Sequence, residues 1–265
     1  MPVKKGKNGE RSVEAEAEVP GSPEDVWRAI ATGPGISSWF VPSTVDGRVN
    51  GRATANFGPG MDSVATITHW DPPRRYVAET VEEPGAVATE WIVEARSGGT
   101  CIVRVVHRWF ASTDNWDDQF EGHTYGWAAF FRILRQYLTH FAGQECSAVP
   151  LAAVSPAPVA DTWRALTGGL LLNPDTRRAS SIEPLPDLAG EIVHRGPESY
   201  PELLLRLDRP SAGLAHMFVM SMCGPTLLTI RFYLYGPGGA AAAAPVQRAW
   251  EHWLADRFPQ MGRST

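Results

Sequence analysis

Lysine is nearly absent from this chain: Lys4, Lys5 and Lys7 are the only three, and every other cation is Arg. With 24 cations against 29 carboxylates, a net charge of −5 and no long basic stretch, nucleic-acid binding is set aside as a first reading. Cysteine is scarce too. Cys101, Cys146 and Cys223 are odd in number, widely separated and form no C-x-x-C pair. That usage points to three free thiols in a reducing cytoplasm. No stretch approaches the ~20 apolar residues of a membrane span. The basic opening is not followed by an apolar run, so no secretory signal is expected.

Motifs for metal and nucleophile chemistry are missing as well. None of the histidines His69, His107, His123, His140, His194, His216 and His252 falls in H-x-x-x-H or H-E-x-x-H. Glu121 and His123, two apart, diverge on a helix. There is no G-x-S-x-G, and Gly236-Pro237-Gly238-Gly239 lacks the Lys-Ser/Thr of a phosphate loop. Neither a metal nor a cofactor is called for, and hydrolase and nucleotide-binding readings drop out.

Aromatic residues are plentiful, with ten Trp and ten Phe, and the pattern around them is that of an α+β protein. Residues 1–11 read as a disordered leader. In residues 12–19, Val13, Ala15, Ala17 and Val19 alternate with Glu14, Glu16 and Glu18, the period of a half-buried strand. Ser22 as N-cap, Pro23 at N1 and Glu24-Asp25 in the first turn begin a short helix. Gly33-Pro34-Gly35 is expected to end it, with a second helical turn at Ile36 to Phe40. Strands are predicted over 43–46, 52–57, 62–70, 75–79, 88–96 and 101–110, separated by Gly- and Pro-rich turns, as an antiparallel meander. Trp127, Phe130, Phe131, Leu134, Tyr137, Leu138 and Phe141 then form the apolar stripe of a long helix over 116–142.

The second half echoes the first. Trp27-Arg28-Ala29-Ile30 returns as Trp163-Arg164-Ala165-Leu166, and a closing stripe from Val246 to Phe258 answers the first long helix. Strands are predicted over 190–194, 202–208, 214–222 and 226–235. The boundaries expected are a domain over 12–145 and a second, reduced domain over 146–265 with fewer strands.

The run Val19-Pro20-Gly21-Ser22-Pro23-Glu24-Asp25-Val26-Trp27-Arg28-Ala29-Ile30, then Trp39-Phe40, resembles the SRPBCC superfamily of START-like, helix-grip proteins. Within it the likeness is to the group similar to the activator of heat-shock-protein-90 ATPase. The stretch from Ala65 through His69-Trp70-Asp71-Pro72-Pro73 to Arg75 agrees, as does Gly126-Trp127 opening the long helix. The resemblance covers roughly residues 12–142 and faintly 147–265. It implies an antiparallel sheet wrapped around a long C-terminal helix, in two tandem modules, with an apolar cavity between sheet and helix. It implies a menu of functions: carriers of lipids and other hydrophobic molecules, polyketide cyclases and co-chaperone domains.

Alternation places Cys101, Val103, Val105, His107 and Trp109 on the apolar side of the last strand of the first half. The expected ligand-binding residues are Trp39, Phe40, Phe57, Trp70, Trp91, His107, Trp109, Trp127, Phe131 and Leu134. His107 is the candidate acid–base group, with Tyr125, Tyr137 and Arg132 as polar partners, against the alternative of a hydrogen-bonded core histidine. The leading reading is a binder of a hydrophobic small molecule, lipid or polycycle, without catalysis. The alternatives are a polyketide-cyclase-type enzyme using His107 and a chaperone-like protein-binding adaptor or homodimer.

Overall fold

The computed structural model describes residues 3–5, 10–58, 62–82, 85–110, 117–221 and 225–258. The chain divides into two compact units, residues 1–143 and 144–265. Each is an antiparallel sheet followed by a long helix, the tandem α+β helix-grip class.

The N-terminal unit runs β1 (Lys4–Lys5), β2 (Glu10–Pro20), α1 (Pro23–Ala31), α2 (Gly33–Ser37), β3 (Ser43–Val45), β4 (Arg52–Asn56), β5 (Asp62–Asp71), β6 (Arg75–Glu82), β7 (Gly85–Arg96), β8 (Thr100–Phe110) and α3 (Asp117–His140). Its strands lie in the order β1-β2-β8-β7-β6-β5-β4-β3. The expectation of a disordered leader over 1–11 needs correction at its described residues. Lys4 and Lys5 pair with Ser12 and Arg11, and β2 already starts at Glu10. Charge draws the leader in, since Lys4 Nζ donates to Glu14 at 2.5 Å on the acidic face of β2.

α1 starts as its sequence dictates, with Ser22 Oγ accepting from the Asp25 N–H at 3.2 Å and Pro23 in the first turn. Its last carbonyls, which a helix leaves without internal partners, are met by buried side chains. Trp39 Nε1 donates to the Ala29 carbonyl at 2.8 Å, and Tyr76 Oη donates to that of Ile30 at 3.0 Å. Gly33-Pro34-Gly35 opens α2 as well as closing α1, and Thr32 caps the new helix through Gly35 N–H. A Cβ on Gly35 would lie 2.0 Å from the Arg28 carbonyl oxygen, so the close helix–helix approach requires glycine.

The outer face of this sheet is laced with ion pairs. Arg104 bridges Glu16 at 2.9 Å and Glu94 at 3.4 Å, and Glu90 sits between Arg75 and Arg108. Burial pushes the Glu90 carboxyl up, but the two guanidinium groups outweigh it and hold the pKa below the ordinary glutamate value of 4.5. A depressed pKa contributes stability above the unfolded value, and that contribution is lost as pH falls through the folded one. Glu90→Gln is therefore expected to cost about 2 kcal/mol at neutral pH, the scale of charge-assisted hydrogen bonds. The gap from wild type should narrow as pH drops below 4.5. Urea unfolding at pH 7 and at pH 3 measures both arms, and a constant gap would refute the ion-pair account.

The C-terminal unit runs β9 (Cys146–Ser155), α4 (Val159–Thr167), β10 (Leu170–Asn173), β11 (Arg178–Ser181), β12 (Ala189–Arg195), β13 (Glu202–Arg209), β14 (Gly213–Ser221), β15 (Thr226–Tyr235) and α5 (Gly236–Arg257). Its strand order, β10-β11-β12-β13-β14-β15-β9, repeats that of β3 through β8 and β2. Among the described residues this sheet holds seven strands against eight in the first unit, and the strand without a counterpart is the two-residue β1. The equivalent helices also share one more pair. Arg28 bonds Asp25 at 3.2 Å in α1, and Arg164 bonds Asp161 at 2.8 Å in α4. The hydrophobic core of this unit is built around Leu203, Leu205, Ile230, Phe232, Trp250 and Trp253, and the unit also buries the His216–Glu202 pair. Among the described residues no helix of either unit is long and apolar enough to cross a membrane.

Candidate functional site

The apolar side of the N-terminal sheet carries the aromatic residues, and the strand register decides which of them meet. Trp91 on β7 lies opposite Tyr76 on β6 and Val105 on β8. From the other side, α3 brings Trp127, Phe130 and Phe131, and the turn after α2 brings Trp39 and Phe40. The result is one connected lattice of rings. Trp39 contacts Phe40, Trp91 and Phe131 at centroid distances of 5.7, 6.1 and 6.5 Å. Phe40 meets Phe130 at 4.3 Å and lies parallel to Trp127 at 5.1 Å and 8°. Trp127 stands edge-on to Trp91 at 5.1 Å. Over the described residues, the interior expected as a cavity is occupied by these rings in mutual contact.

The expected residues divide by position. Trp39, Phe40, Trp91, Trp127 and Phe131 belong to the lattice, and Leu134 is fully buried on the same helix. Phe57 joins through Phe40 at 5.6 Å and keeps 42% of its surface in solvent, at the rim. Trp70 instead packs with Trp27 and Tyr76, and among the described residues is joined to the lattice through the Tyr76–Trp91 stack at 6.2 Å. Trp109 is fully buried in a cluster with Val13 and Val87. Tyr76, Phe130 and Thr89 were missed as site residues. Phe130 was visible in the helical stripe, and Tyr76 was signalled only by its place opposite two tryptophans.

His107 is half-buried, and its hydrogen bonds fix its state. Trp127 Nε1 lies 2.7 Å from His107 Nε2, and an indole nitrogen can only donate. Nε2 is therefore the acceptor, the imidazole is neutral, and Nδ1–H donates to Thr89 Oγ1 at 2.9 Å. This is the arrangement of a hydrogen-bonded core histidine. The side chain of Tyr125, a suggested partner, lies outside the described residues, as do those of Glu121 and His123.

Other chemistry finds little purchase. Burial pushes the Cys101 thiol up, with the carboxylates of Glu24 and Asp25 adding to it, and pushes that of Cys146 up to about 12. Both are free thiols and poor nucleophiles, while Cys223 lies outside the described residues. Among the described residues, no three His, Cys, Asp or Glu side chains are grouped to hold a metal ion. Hollows among the described residues lie away from the rings. One of about 160 Å³ lies at Val19, Thr100, Arg135 and Thr139, and an open cleft of about 630 Å³ at Glu183, Pro184, Leu185 and Arg209.

Residues 10–140 match the family described as polyketide cyclase / dehydrase and lipid transport. Solved structures are similar at low identity. The protein MLL2253 from Mesorhizobium loti is 20% identical, covering 49% of this chain and 98% of its own, with a TM-score of 0.44. The Aha1 dimer from Colwellia psychrerythraea is 20% identical, covering 50% of this chain and 98% of that one, at 0.43. DynU16, a protein in the dynemicin biosynthetic locus, is 12% identical over 92% of this chain and 95% of its own, at 0.43. No curated protein matches the chain.

Proposed function

We infer that the N-terminal unit, which belongs to the SRPBCC superfamily of START-like, helix-grip proteins, binds a hydrophobic small molecule among its aromatic rings and does no chemistry of its own. The observation that carries this is the lattice itself. It runs from fully buried Trp39 through Phe40 to half-buried Trp127 and exposed Phe57, so one end is anchored and the other reaches solvent. Ring faces of this kind favour flat polycycles over flexible chains. A ligand burying ~400 Å² of apolar surface gains about 10 kcal/mol. Association costs of at least ~4 kcal/mol leave about 6 kcal/mol or less, an affinity of roughly tens of micromolar or weaker.

A second reading makes the unit a cyclase-type enzyme with His107 as acid–base group. The half-buried position of His107 beside the rings favours it, but its Nε2 is held by Trp127, and a substrate would have to break that bond first.

Phe40→Leu separates ligand wall from plain core. Leucine keeps most of the buried volume but loses the ring contacts to Trp127 and Phe130, and such contacts are worth up to ~1.5 kcal/mol. The affinity of a naphthalene-based fluorescent probe is expected to fall about fivefold in a variant shown to be folded. Unchanged affinity would mean that the rings are core only. Turnover of a cyclisation substrate by wild type, lost in His107→Gln with binding retained, would install the enzyme in place of the binder.

A further inference from the structure

Trp127 differs from the other interior tryptophans in where it sits. Trp39 and Trp91 are at most 4% exposed, whereas Trp127 and its partner His107 are half-buried at the edge of the ring lattice. The indole lies parallel to Phe40, edge-on to Trp91 and against Phe131 at 5.9 Å. Its N–H is bonded to His107 Nε2. One flat bicyclic ring therefore sits at the half-buried edge of the ring lattice while donating a single hydrogen bond to an imidazole. Those are the contacts a planar ligand would make there.

We propose that the Trp127 side chain is a built-in stand-in for the ligand, which displaces it and takes over both its ring contacts and its hydrogen bond to His107. This rests on the binding reading above and narrows it to one class: a planar aromatic molecule of two or more fused rings carrying an O–H or N–H donor. The donor requirement comes from Thr89. Its hydroxyl takes the Nδ1–H of His107 at 2.9 Å, which orients the ring and leaves Nε2 as an acceptor. A ligand with a donor exchanges like for like. A ligand without one removes the indole N–H and supplies nothing, so the imidazole nitrogen loses that bond in an apolar setting.

The exchange is tested on the full chain labelled with 5-fluorotryptophan. The Trp127 fluorine resonance is identified as the one missing from Trp127→Phe. Wild type is titrated with 1-naphthol and with 1-methoxynaphthalene, which share ring and oxygen and differ in the donor. The proposal expects 1-naphthol to bind about fivefold tighter, the worth of one neutral hydrogen bond. It also expects the Trp127 resonance to shift in step with saturation, and the preference to vanish in His107→Leu while both compounds still bind. If both bind wild type equally, or the Trp127 resonance stays put at saturation, the stand-in is refuted and the binding reading survives. Failure of both compounds to bind wild type overturns the two together. Should His107→Leu not fold, the resonance shift and the affinity ratio in wild type still decide.

Discussion

Replacing Trp39 by Ala is expected to lower the stability of the N-terminal unit by about 4 kcal/mol, within the range for truncating a buried aromatic. The side chain is fully buried and touches Phe40, Trp91 and Phe131, so its removal opens a hole bordered by three rings. It also strips the Ala29 carbonyl of its donor at the end of α1, where no helical N–H is available to replace it. Trp39→Phe isolates that second contribution. Phenylalanine refills most of the hole but cannot donate, and the expected loss is about 2 kcal/mol, from one hydrogen bond and the residual void. Amide exchange read peptide by peptide is the suitable measurement, because a chain of two units need not unfold in one transition. Protection should fall across β2, β7 and β8 and stay unchanged in β13 to β15. A loss spread equally over both units, or a Trp39→Phe indistinguishable from wild type, would contradict this account.

Much of that arrangement was legible before the structure, because strong local rules agreed with one another. Alternation identified β2 and the inner face of β8, the Ser22-Pro23-Glu24-Asp25 run fixed the start of α1, and the aromatic stripe identified α3. Face, however, is not level. Alternation put Trp91 and Trp109 on the same side, but Trp109 lies four residues along β8 from Val105, the partner of Trp91. At ~3.3 Å per residue that is about 13 Å, and Trp109 packs at that level with Val13 and Val87. A bulge misleads in another way. The register slips between Ile67 and His69, so Trp70 comes to oppose Tyr76 and Ile67 to oppose Ala78. β9 was hidden by Pro150, a residue that argues against a central strand and is tolerated here because β9 is the last strand of its sheet. The Trp127–His107–Thr89 chain could not be foreseen at all. Register brings Thr89 opposite His107, but only helix placement sets the indole above them.

The C-terminal unit supplies a counterpart to Trp39 that is expected to respond differently to replacement by Phe. Trp250 on α5 is 1% exposed and packs on Phe232 at 5.4 Å and Trp253 at 5.7 Å. Trp250→Ala should therefore cost about 4 kcal/mol, like Trp39→Ala. Its Nε1–H differs, since it is buried and finds no acceptor among the described residues. An unpaired buried donor costs ~1–3 kcal/mol, and that penalty is already present in wild type. Trp250→Phe removes it while leaving a void, a loss of about 1–2 kcal/mol for an aromatic that keeps most of its ring. The two nearly cancel, and the expected change is within about 1 kcal/mol of zero. At matched burial, then, Trp→Phe should be costly in the first unit and close to neutral in the second. Exchange protection of β14 and β15 in the Trp250 variants, set beside that of β7 and β8 in the Trp39 variants, makes the comparison. If Trp250→Phe loses as much as Trp39→Phe, the indole has an acceptor after all.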